Sequence, residues 1–331
     1  MIYDCFSFFN ELDLLEIRLN VLKDVVDRFV IVEAGETHAG KSKPFYFEEN
    51  RARFAAFLDR IEYVKIEKFP EGCKTAWWRE NIQRNEIAKG LVGARDEDDI
   101  LISDLDEIPD PEAVRRYAGT PGVKKFRQEY YAFYLNYHNL RWRNWQGTRM
   151  LSYRDFKSAY DGLACYENEY MVPELNVGTT ATKVRCRNLP RSRGGMIVVK
   201  DGGWHFTNLG GAEAVARKIA SFAHQEYNPG EDRIDVVEVE RIIQSGGGVF
   251  WKMNCFGEPI DETFPKYIRE NQEKYAHLVF RLTPNYLKRV RWARFFRTLQ
   301  GRWIQLAETV CPPALHNWLH IVKTRIPRAG R

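Results

Sequence analysis

Two aspartates separated by one residue, Asp104 and Asp106, directly follow a short apolar run. Two carboxylates placed where a strand ends can hold Mg²⁺ or Mn²⁺, and such an ion can bridge the phosphates of a bound nucleotide. The ion would take up the negative charge that accumulates on a diphosphate as it leaves a sugar. The spacing therefore predicts a donor site for a nucleotide-activated sugar, with both aspartates as metal ligands and Asp106 in the catalytic centre. Solvated turns and helix starts also carry such acids, so this alternative stays open for Asp106 and Glu107.

Four further side chains are candidates for the same site. His205 lies between two aromatic residues just after two glycines, and a neutral imidazole there could be a third metal ligand. The alternative is a histidine packed in the core. Arg79, Arg84 and Asn85 fall on one predicted helix and could contact phosphate or ribose, although arginines on a helix are often simply solvated.

The first hundred residues alternate between short apolar runs and helical periodicity, which predicts a parallel sheet with crossover helices. Ligands of such sheets bind beyond the carboxyl ends of the strands. Glu33, which ends the second predicted strand, is therefore expected to lie near Asp104 and Asp106. The predicted strands are residues 2–6, 29–32, 61–66 and 99–103. The first predicted helix is capped by Asn10, and two more follow at 48–58 and 77–91. A further helix is capped by Asp110 and has Pro111 as its first residue.

After about residue 122 the pattern changes to long, aromatic-rich segments, which predict a mixed second half. The expected fold class is α/β, a mixed sheet flanked by helices with a C-terminal helical basic tail. Residues 1–280 are expected to form one domain, with a nucleotide-binding half at 1–122 and an acceptor half at 123–280. The predicted elements of the second half are strands at 123–136 and 148–153, a landmark at 202–206, a helix at 212–224 and a glycine turn at 246–248.

The net charge of +5 is unevenly distributed. Residues 281–331 carry eleven basic side chains and one acidic side chain, a net charge of +10, which leaves −5 on residues 1–280. Residues 291–306 place aromatic side chains on one helical stripe and arginines away from it, so residues 286–306 are predicted to bind an anionic membrane surface. A helix docked on the body is the alternative. The acidic body argues against nucleic acid as a partner, which disfavours a non-enzymatic nucleic-acid-binding module.

The six cysteines are scattered without a C-x-x-C pair, which predicts reduced thiols and no zinc site. The N-terminus lacks the basic start and continuous apolar core of a signal peptide, and no apolar run is long enough to span a membrane. These features predict a cytoplasmic protein, peripheral at the inner face of the membrane if the tail binds there.

Several segments together form a recognisable pattern in order and spacing. They are residues 2–6, 9–18, 29–34, 37–40, 43–44, the run Ser103-Asp104-Leu105-Asp106-Glu107-Ile108-Pro109, 203–206 and 221–228. Over about residues 1–280 this pattern resembles glycosyltransferase family 17. The resemblance implies an inverting enzyme with a GT-A-like fold, a UDP-GlcNAc donor, a divalent cation that is normally Mn²⁺, and transfer in β-1,4 linkage to a saccharide. It matches Asp104 and Asp106 to the family's D-x-D and His205 to its Trp-His pair, and it implies that Glu33 lies near the nucleoside with Asn10 and Glu11 beside it.

Inversion requires a general base on the acceptor hydroxyl, and an acidic side chain is the usual solution. Glu129, Asp201 and Glu213 are the candidates, with Glu213 ranked first because it follows His205 near a helix start; a first-turn acid is the alternative. Without an N-terminal anchor, the expected acceptor is a lipid-linked or cell-surface saccharide. The rival enzyme class, the sugar-phosphate nucleotidyltransferases, commonly carries a glycine-rich loop where this chain has Phe8-Phe9-Asn10.

Overall fold

A computed structural model describes residues 1–73, 75–140, 145–158, 196–221, 235–247, 249, 253–284 and 286. Met1–Phe280 form one compact unit. The predicted tail helix at 291–306 lies outside the described residues, as does the end of the helix predicted at 212–224. Within the described ranges, no helix has the length and apolar character needed to cross a membrane.

The described strands and helices follow one another in an α/β order. The strands are β1 (Ile2–Phe8), β2 (Arg28–Ala34), β3 (Ile61–Ile66), β4 (Asp99–Asp104), β5 (Glu107–Pro109), β6 (Val123–Phe126), β7 (Glu129–Ala132), β8 (Tyr137–Asn139), β9 (Arg149–Ser152), β10 (Met196–Val199), β11 (Gly203–Thr207) and β12 (Cys255–Gly257). The α-helices are α1 (Leu12–Leu22), α2 (Tyr46–Glu49), α3 (Ala76–Asn85), α4 (Pro111–Tyr117), α5 (Tyr153–Ser158), α6 (Gly211–Ile219), α7 (Val236–Gln244) and α8 (Lys266–Glu270), and 3-10 helices span Arg51–Arg60, Glu86–Leu91 and Ala276–Leu278.

A seven-stranded sheet has the order β10-β6-β9-β4-β1-β2-β3. Strands β4, β1, β2 and β3 are parallel to one another, whereas β9 is antiparallel to both β4 and β6. The predicted parallel arrangement of the first four strands and the mixed sheet flanked by helices are thus confirmed. The chain runs outward from β1 to β2 and β3 and then returns to β4 on the other side of β1, so β1 and β4 flank a switch point where ligands are expected to bind.

A second, five-stranded sheet has the order β12-β8-β7-β11-β5. Strand β5 pairs antiparallel with β11, which sets His205 opposite Glu107. Only Leu105 and Asp106 connect β4 in the first sheet to β5 in the second. The segment that carries the two aspartates is therefore the crossing point between the sheets.

Apolar side chains fill both faces of the parallel strands. Phe6 and Phe29 face the α1 side, with Leu15 and Leu19 of α1 in the same buried cluster. A second cluster on the opposite face joins the strands to α3 and the 3-10 helix that follows it. Each fully buried large apolar side chain contributes about 1.5–3 kcal/mol, so both clusters fix the strands whose ends form the site.

Several predicted boundaries are wrong. The first helix begins at Leu12, and Glu11, not Asn10, occupies its N-cap position without a side-chain capping bond. The helices predicted at 48–58 and 77–91 continue as 3-10 turns beyond Glu49 and Asn85. The helix cap at Asp110 is confirmed, because its carboxylate accepts a hydrogen bond from the backbone N–H of Ala113.

The long strand predicted at 123–136 is also wrong, because it divides into β6 and β7, which belong to different sheets. Gln128 lies in the break, with its backbone bonded to Trp145. The alternation of apolar residues along this segment does not indicate that β6 and β7 join different sheets. The division places β7 beside β11 in the second sheet, which reaches the segment of the two aspartates through β5.

Candidate functional site

A cavity of about 260 Å³ opens at the carboxyl ends of β1 and β4. Both Asp104 and Asp106 line it, together with Glu11 from the loop after β1 and Arg84 from α3. Of the acidic residues expected near this edge of the sheet, Asp104, Asp106 and Glu11 therefore line the same cavity.

A buried arginine of α1 fixes the segment that carries the aspartates. The guanidinium of Arg18 is fully buried and bonds both carboxylate oxygens of Asp4 in β1, at 2.8 and 2.6 Å. One of its terminal nitrogens also donates to the backbone carbonyls of Asp104, Leu105 and Glu107, each at 3.0 Å. Since a planar guanidinium offers donors in fixed directions, Arg18 sets the path of the loop between the two sheets.

Glu107 is a buried structural residue of this loop. Its carboxylate accepts hydrogen bonds from the backbone N–H of Asp104 at 3.0 Å and from the indole of Trp145 at 2.5 Å. A side chain at position 147 would overlap with this carboxylate, so the close approach requires Gly147. The alternative that Asp106 and Glu107 are helix-start acids is wrong, because Asp106 immediately precedes β5 and Glu107 is its first residue.

Cations neutralise both aspartates. Arg84, only 5 % exposed, bonds Asp104 at 2.9 Å and Glu80 at 2.8 Å. Lys218 of α6 lies 3.6 Å from Asp106, and the Nε2 atom of His205 lies 3.4 Å from it. Burial alone raises the pKa of Asp106, but His205 and Lys218 outweigh burial and lower that pKa to about 2. Burial likewise lowers the pKa of Lys218, but the surrounding carboxylates raise it overall, so the ammonium group stays charged.

His205 lies behind Asp106. It is 5 % exposed, and its ring stacks on Trp145 with 4.6 Å between centroids and meets the edge of Tyr130 at 4.7 Å. It does not belong to the described residues that line the cavity. In this position the imidazole orients Asp106, whereas the predicted direct contact with a metal would require it to reach past that carboxylate.

The carboxylates that line the cavity can be compared with the ligands that a divalent cation requires. Among the described residues, no three His, Cys, Asp or Glu side chains form a ready ligand group. Mg²⁺ commonly uses only one or two protein carboxylates and completes its shell with water and substrate phosphates. Asp104, whose side chain is 38 % exposed, and Asp106 line one cavity and fit this kind of site.

The structure places Glu33, which is predicted to lie near the nucleoside, among protein donors. The carboxylate is fully buried and accepts hydrogen bonds from Lys43 at 2.7 Å, Tyr63 at 2.9 Å, and the backbone N–H groups of Tyr46 at 2.7 Å and Phe47 at 3.1 Å. Glu33 is not one of the described residues that line the cavity. Its strand ends at the expected edge, but its oxygens are already occupied by protein donors, so it stabilises the loop that follows β2.

The three residues predicted on the third helix have different environments. Arg84 lines the cavity. Arg79 instead donates to the backbone carbonyls of His38 at 3.1 Å and Cys73 at 3.2 Å. Neither Arg79 nor Asn85 belongs to the described lining of this cavity. The prediction of direct nucleotide contacts is therefore retained only for Arg84.

A second cavity, of about 410 Å³, adjoins the first. Asn10 lines this second cavity and not the first, whereas the sequence predicts it beside the nucleoside. Four residues line both cavities, and they mark the passage between them: Phe9, Glu11, Asp106 and Lys218.

None of the three predicted general bases is part of the described lining of either cavity. The Glu213 side chain is 80 % exposed and lies 3.8 Å from Arg217. Glu129 bonds His138 at 2.9 Å in the second sheet. Asp201 lies in the turn before β11, with a φ of 49°. The fold thus places all three acids away from the described lining around the two aspartates, although Glu213 follows His205 closely in sequence.

Sequence reasoning missed two residues of the site. No local signal in the sequence marks Lys218, because a lysine near the end of a helix is commonly solvated. Its approach to Asp106 depends on tertiary packing. Gln83 donates to the carbonyls of Phe8 at 3.2 Å and Val32 at 2.9 Å, so its amide oxygen faces His38 at 2.8 Å. Burial lowers the pKa of His38, which presents a neutral imidazole at the cavity wall.

Comparisons with known proteins agree with the resemblance over the first half of the chain, which carries Asp104 and Asp106. The model of glycosyltransferase family 17 matches residues 1–164. The β-1,4-mannosyl-glycoprotein 4-β-N-acetylglucosaminyltransferases of Rattus norvegicus and Homo sapiens are each 23% identical over 301 residues, which covers 82% of this chain and 53% of theirs. The chain thus spans about half the length of the curated relatives it matches. A solved structure, the mannosyltransferase PcManGT from Pyrobaculum calidifontis in complex with GDP-Man and Mn2+, overlaps with a TM-score of 0.36 and 12% identity, covering 62% of this chain and 56% of that one.

Proposed function

We infer from the glycosyltransferase family 17 sequence of residues 1–164 that this protein is a glycosyltransferase that uses a nucleotide-activated sugar. One observation carries the proposal. Asp104 and Asp106 both line the first cavity, at the switch point between β1 and β4, where an open α/β sheet binds its ligands.

The residues around the cavity have complementary roles in this proposal. Asp104 and Asp106 would hold a divalent cation, which when bound neutralises charge on the leaving diphosphate. Arg84 and Lys218 contribute fixed positive charge at the same wall. Arg18 and Glu107 hold the backbone of the aspartate loop, so the carboxylates do not have to reorganise during the reaction.

The named relatives indicate the donor and the kind of acceptor. Both are N-acetylglucosaminyltransferases that act on a mannosyl glycoprotein. We propose UDP-GlcNAc as donor, Mn²⁺ or Mg²⁺ as cation, a GT-A-like nucleotide-binding half, and β-linked transfer with inversion. The proposed acceptor is a lipid-linked or cell-surface saccharide. Binding of residues 286–306 to an anionic membrane at its cytoplasmic face is part of the same proposal and lies outside the described residues.

The rival classes receive no comparable support. A sugar-phosphate nucleotidyltransferase or a non-enzymatic binding module would not account for the match to a glycosyltransferase family over residues 1–164, which include Asp104 and Asp106. The aromatic loop after β1, with Phe8 and Phe9 in the cavity wall, also differs from a glycine-rich phosphate loop.

A transfer assay tests the proposal. The full chain is incubated with UDP-GlcNAc, Mn²⁺ and a panel of saccharide acceptors that includes octyl β-D-mannopyranoside, and the released UDP and glycosylated product are quantified. Transfer is expected with Mn²⁺ and is expected to be lost in EDTA and in Asp104→Asn. Undiminished transfer in Asp104→Asn, or no transfer with any donor in a sugar-nucleotide panel, would reject the proposed site or the proposed activity respectively.

A further inference from the structure

The two adjoining cavities share four lining residues. Phe9, Glu11, Asp106 and Lys218 line both the cavity of about 260 Å³ and that of about 410 Å³. If the first cavity holds the nucleotide, the sugar carbon that reacts must lie where a second substrate can approach it from the other side. The shared residues mark that place.

We propose that the second cavity binds the saccharide acceptor and that Glu11 is the general base that takes the proton from its attacking hydroxyl. This inference rests on the proposed glycosyltransferase activity. It replaces both the predicted nucleotide-binding role of Glu11 and the predicted base Glu213.

The passage contains two carboxylates, and their partners differ. Asp106 is engaged by Lys218 at 3.6 Å and His205 at 3.4 Å and is needed for the cation site. Glu11 accepts one hydrogen bond at its Oε2 atom, from the backbone N–H of Asn10 at 3.1 Å. Among the described residues no side chain forms an ion pair with Glu11 within 4 Å. The backbone contact orients the carboxylate and leaves Oε1 to accept a hydrogen bond from a substrate.

Other acids in the two walls are committed to protein partners. In the first cavity, Glu80 is paired with Arg84 at 2.8 Å and Glu36 accepts from the backbone N–H of Phe69 at 3.1 Å. In the second cavity, Asp13 is bonded to Arg53 at 2.5 Å and His277 at 2.8 Å. Position and hydrogen bonding therefore both select Glu11.

The second cavity has the chemistry of a saccharide site. Such a site combines apolar or aromatic surface for the face of a sugar ring with a few fixed polar groups for its hydroxyls. The lining of the second cavity includes the half-buried aromatic residue Phe9 and the polar residues Asn10 and Asn208. Arg217, also in its lining, adds an exposed donor at the rim.

The proposed step is a balanced displacement. The acceptor oxygen forms a bond to the anomeric carbon on the face opposite the nucleotide, while the bond from that carbon to the diphosphate oxygen breaks. The hydroxyl proton moves to Glu11, and the electron pair of the broken bond leaves on the nucleoside diphosphate. Lys218, which lies at the same passage, faces the charge that develops on the leaving group.

Two substitutions test the inference with the full-length protein. Glu11→Gln keeps an oxygen for the Asn10 N–H but cannot accept the proton, so kcat for transfer to octyl β-D-mannopyranoside, or to the best acceptor of the panel, should fall about 10²- to 10⁴-fold. Its Kd for UDP in Mn²⁺ should stay within about twofold of wild type, because the contact is made to the acceptor. Ala214→Leu fills part of the second cavity only, so it should raise the acceptor KM and leave the UDP Kd unchanged.

Glu213→Gln is the comparison that separates the two candidate bases. Wild-type turnover in Glu11→Gln, or a loss of kcat confined to Glu213→Gln, would overturn the role of Glu11. An unchanged acceptor KM in Ala214→Leu would overturn the placement of the acceptor. A wild-type protein that binds no UDP and transfers no sugar would instead reject the proposed function, and this inference with it.

Discussion

Replacement of Arg18 by lysine should destabilise the protein and loosen the aspartate loop. Lysine keeps the positive charge beside Asp4, but it carries three donors on one nitrogen and cannot form the planar set of contacts. The arginine bonds Asp4 twice, Ser103 at 2.5 Å, and three backbone carbonyls, those of Asp104, Leu105 and Glu107, at 3.0 Å each. Most of the carbonyl contacts would be lost.

The expected cost follows from those carbonyls. A buried polar group left without its partner costs about 1–3 kcal/mol, and lysine can restore only part of the set. The free energy of unfolding of Arg18→Lys should therefore fall by about 2–4 kcal/mol, less than the additive sum because the loop can relax. Exposed Arg115, which pairs with Glu112 at 2.5 Å on α4, is the matched control, and Arg115→Lys should change stability by less than about 0.5 kcal/mol.

The assay is urea unfolding followed by tryptophan fluorescence, with stability obtained from the midpoint and the slope. UDP affinity in Mn²⁺ is measured on the folded variant, and it should weaken because the loop that carries Asp104 and Asp106 is no longer fixed. Arg18→Lys with a stability within about 0.5 kcal/mol of wild type and an unchanged UDP Kd would refute the role assigned to Arg18.

Two further predictions concern residues whose roles changed between sequence and structure. Glu33→Gln should lower the free energy of unfolding by about 2–4 kcal/mol, because Lys43 loses its buried partner; a loss of UDP affinity without a loss of stability would return Glu33 to the binding site. His205→Phe keeps the ring stack on Trp145 but loses the contact with Asp106, so the Mn²⁺-dependent affinity for UDP should weaken about 10- to 100-fold with little change in the thermal midpoint; equal affinity in the variant would show that His205 does not orient Asp106.

Strands β2 and β4 could be predicted because each is a nearly continuous apolar run buried on both faces. Their order along the chain and the parallel rule also predicted the edge where the aspartates lie. Strand β5 could not be predicted, since its three residues, Glu107–Pro109, carry no period and are held by pairing with a strand almost a hundred residues later.

Side-chain direction and partnership were the parts of the site that the sequence could not supply. Glu33 and Asp104 both end or nearly end parallel strands, yet the loop after β2 folds back so that Lys43 covers Glu33. Lys218 and Glu11 are more than two hundred residues apart and meet only because α6 packs beside the loop after β1. Such long-range packing leaves no local signal.

Asp104 and Asp106 are proposed to form a cation-dependent site for a nucleoside diphosphate, and every other proposed role depends on this site. Isothermal titration of UDP into the full-length protein, with Mn²⁺ and then with EDTA, tests it most directly in wild type and in the Asp104→Asn/Asp106→Asn double variant. Wild type should bind UDP only when Mn²⁺ is present, and the double variant should bind at least about 100-fold more weakly, as expected for loss of the direct ligands. Equal binding by both proteins, or binding that EDTA leaves unchanged, would contradict the claim.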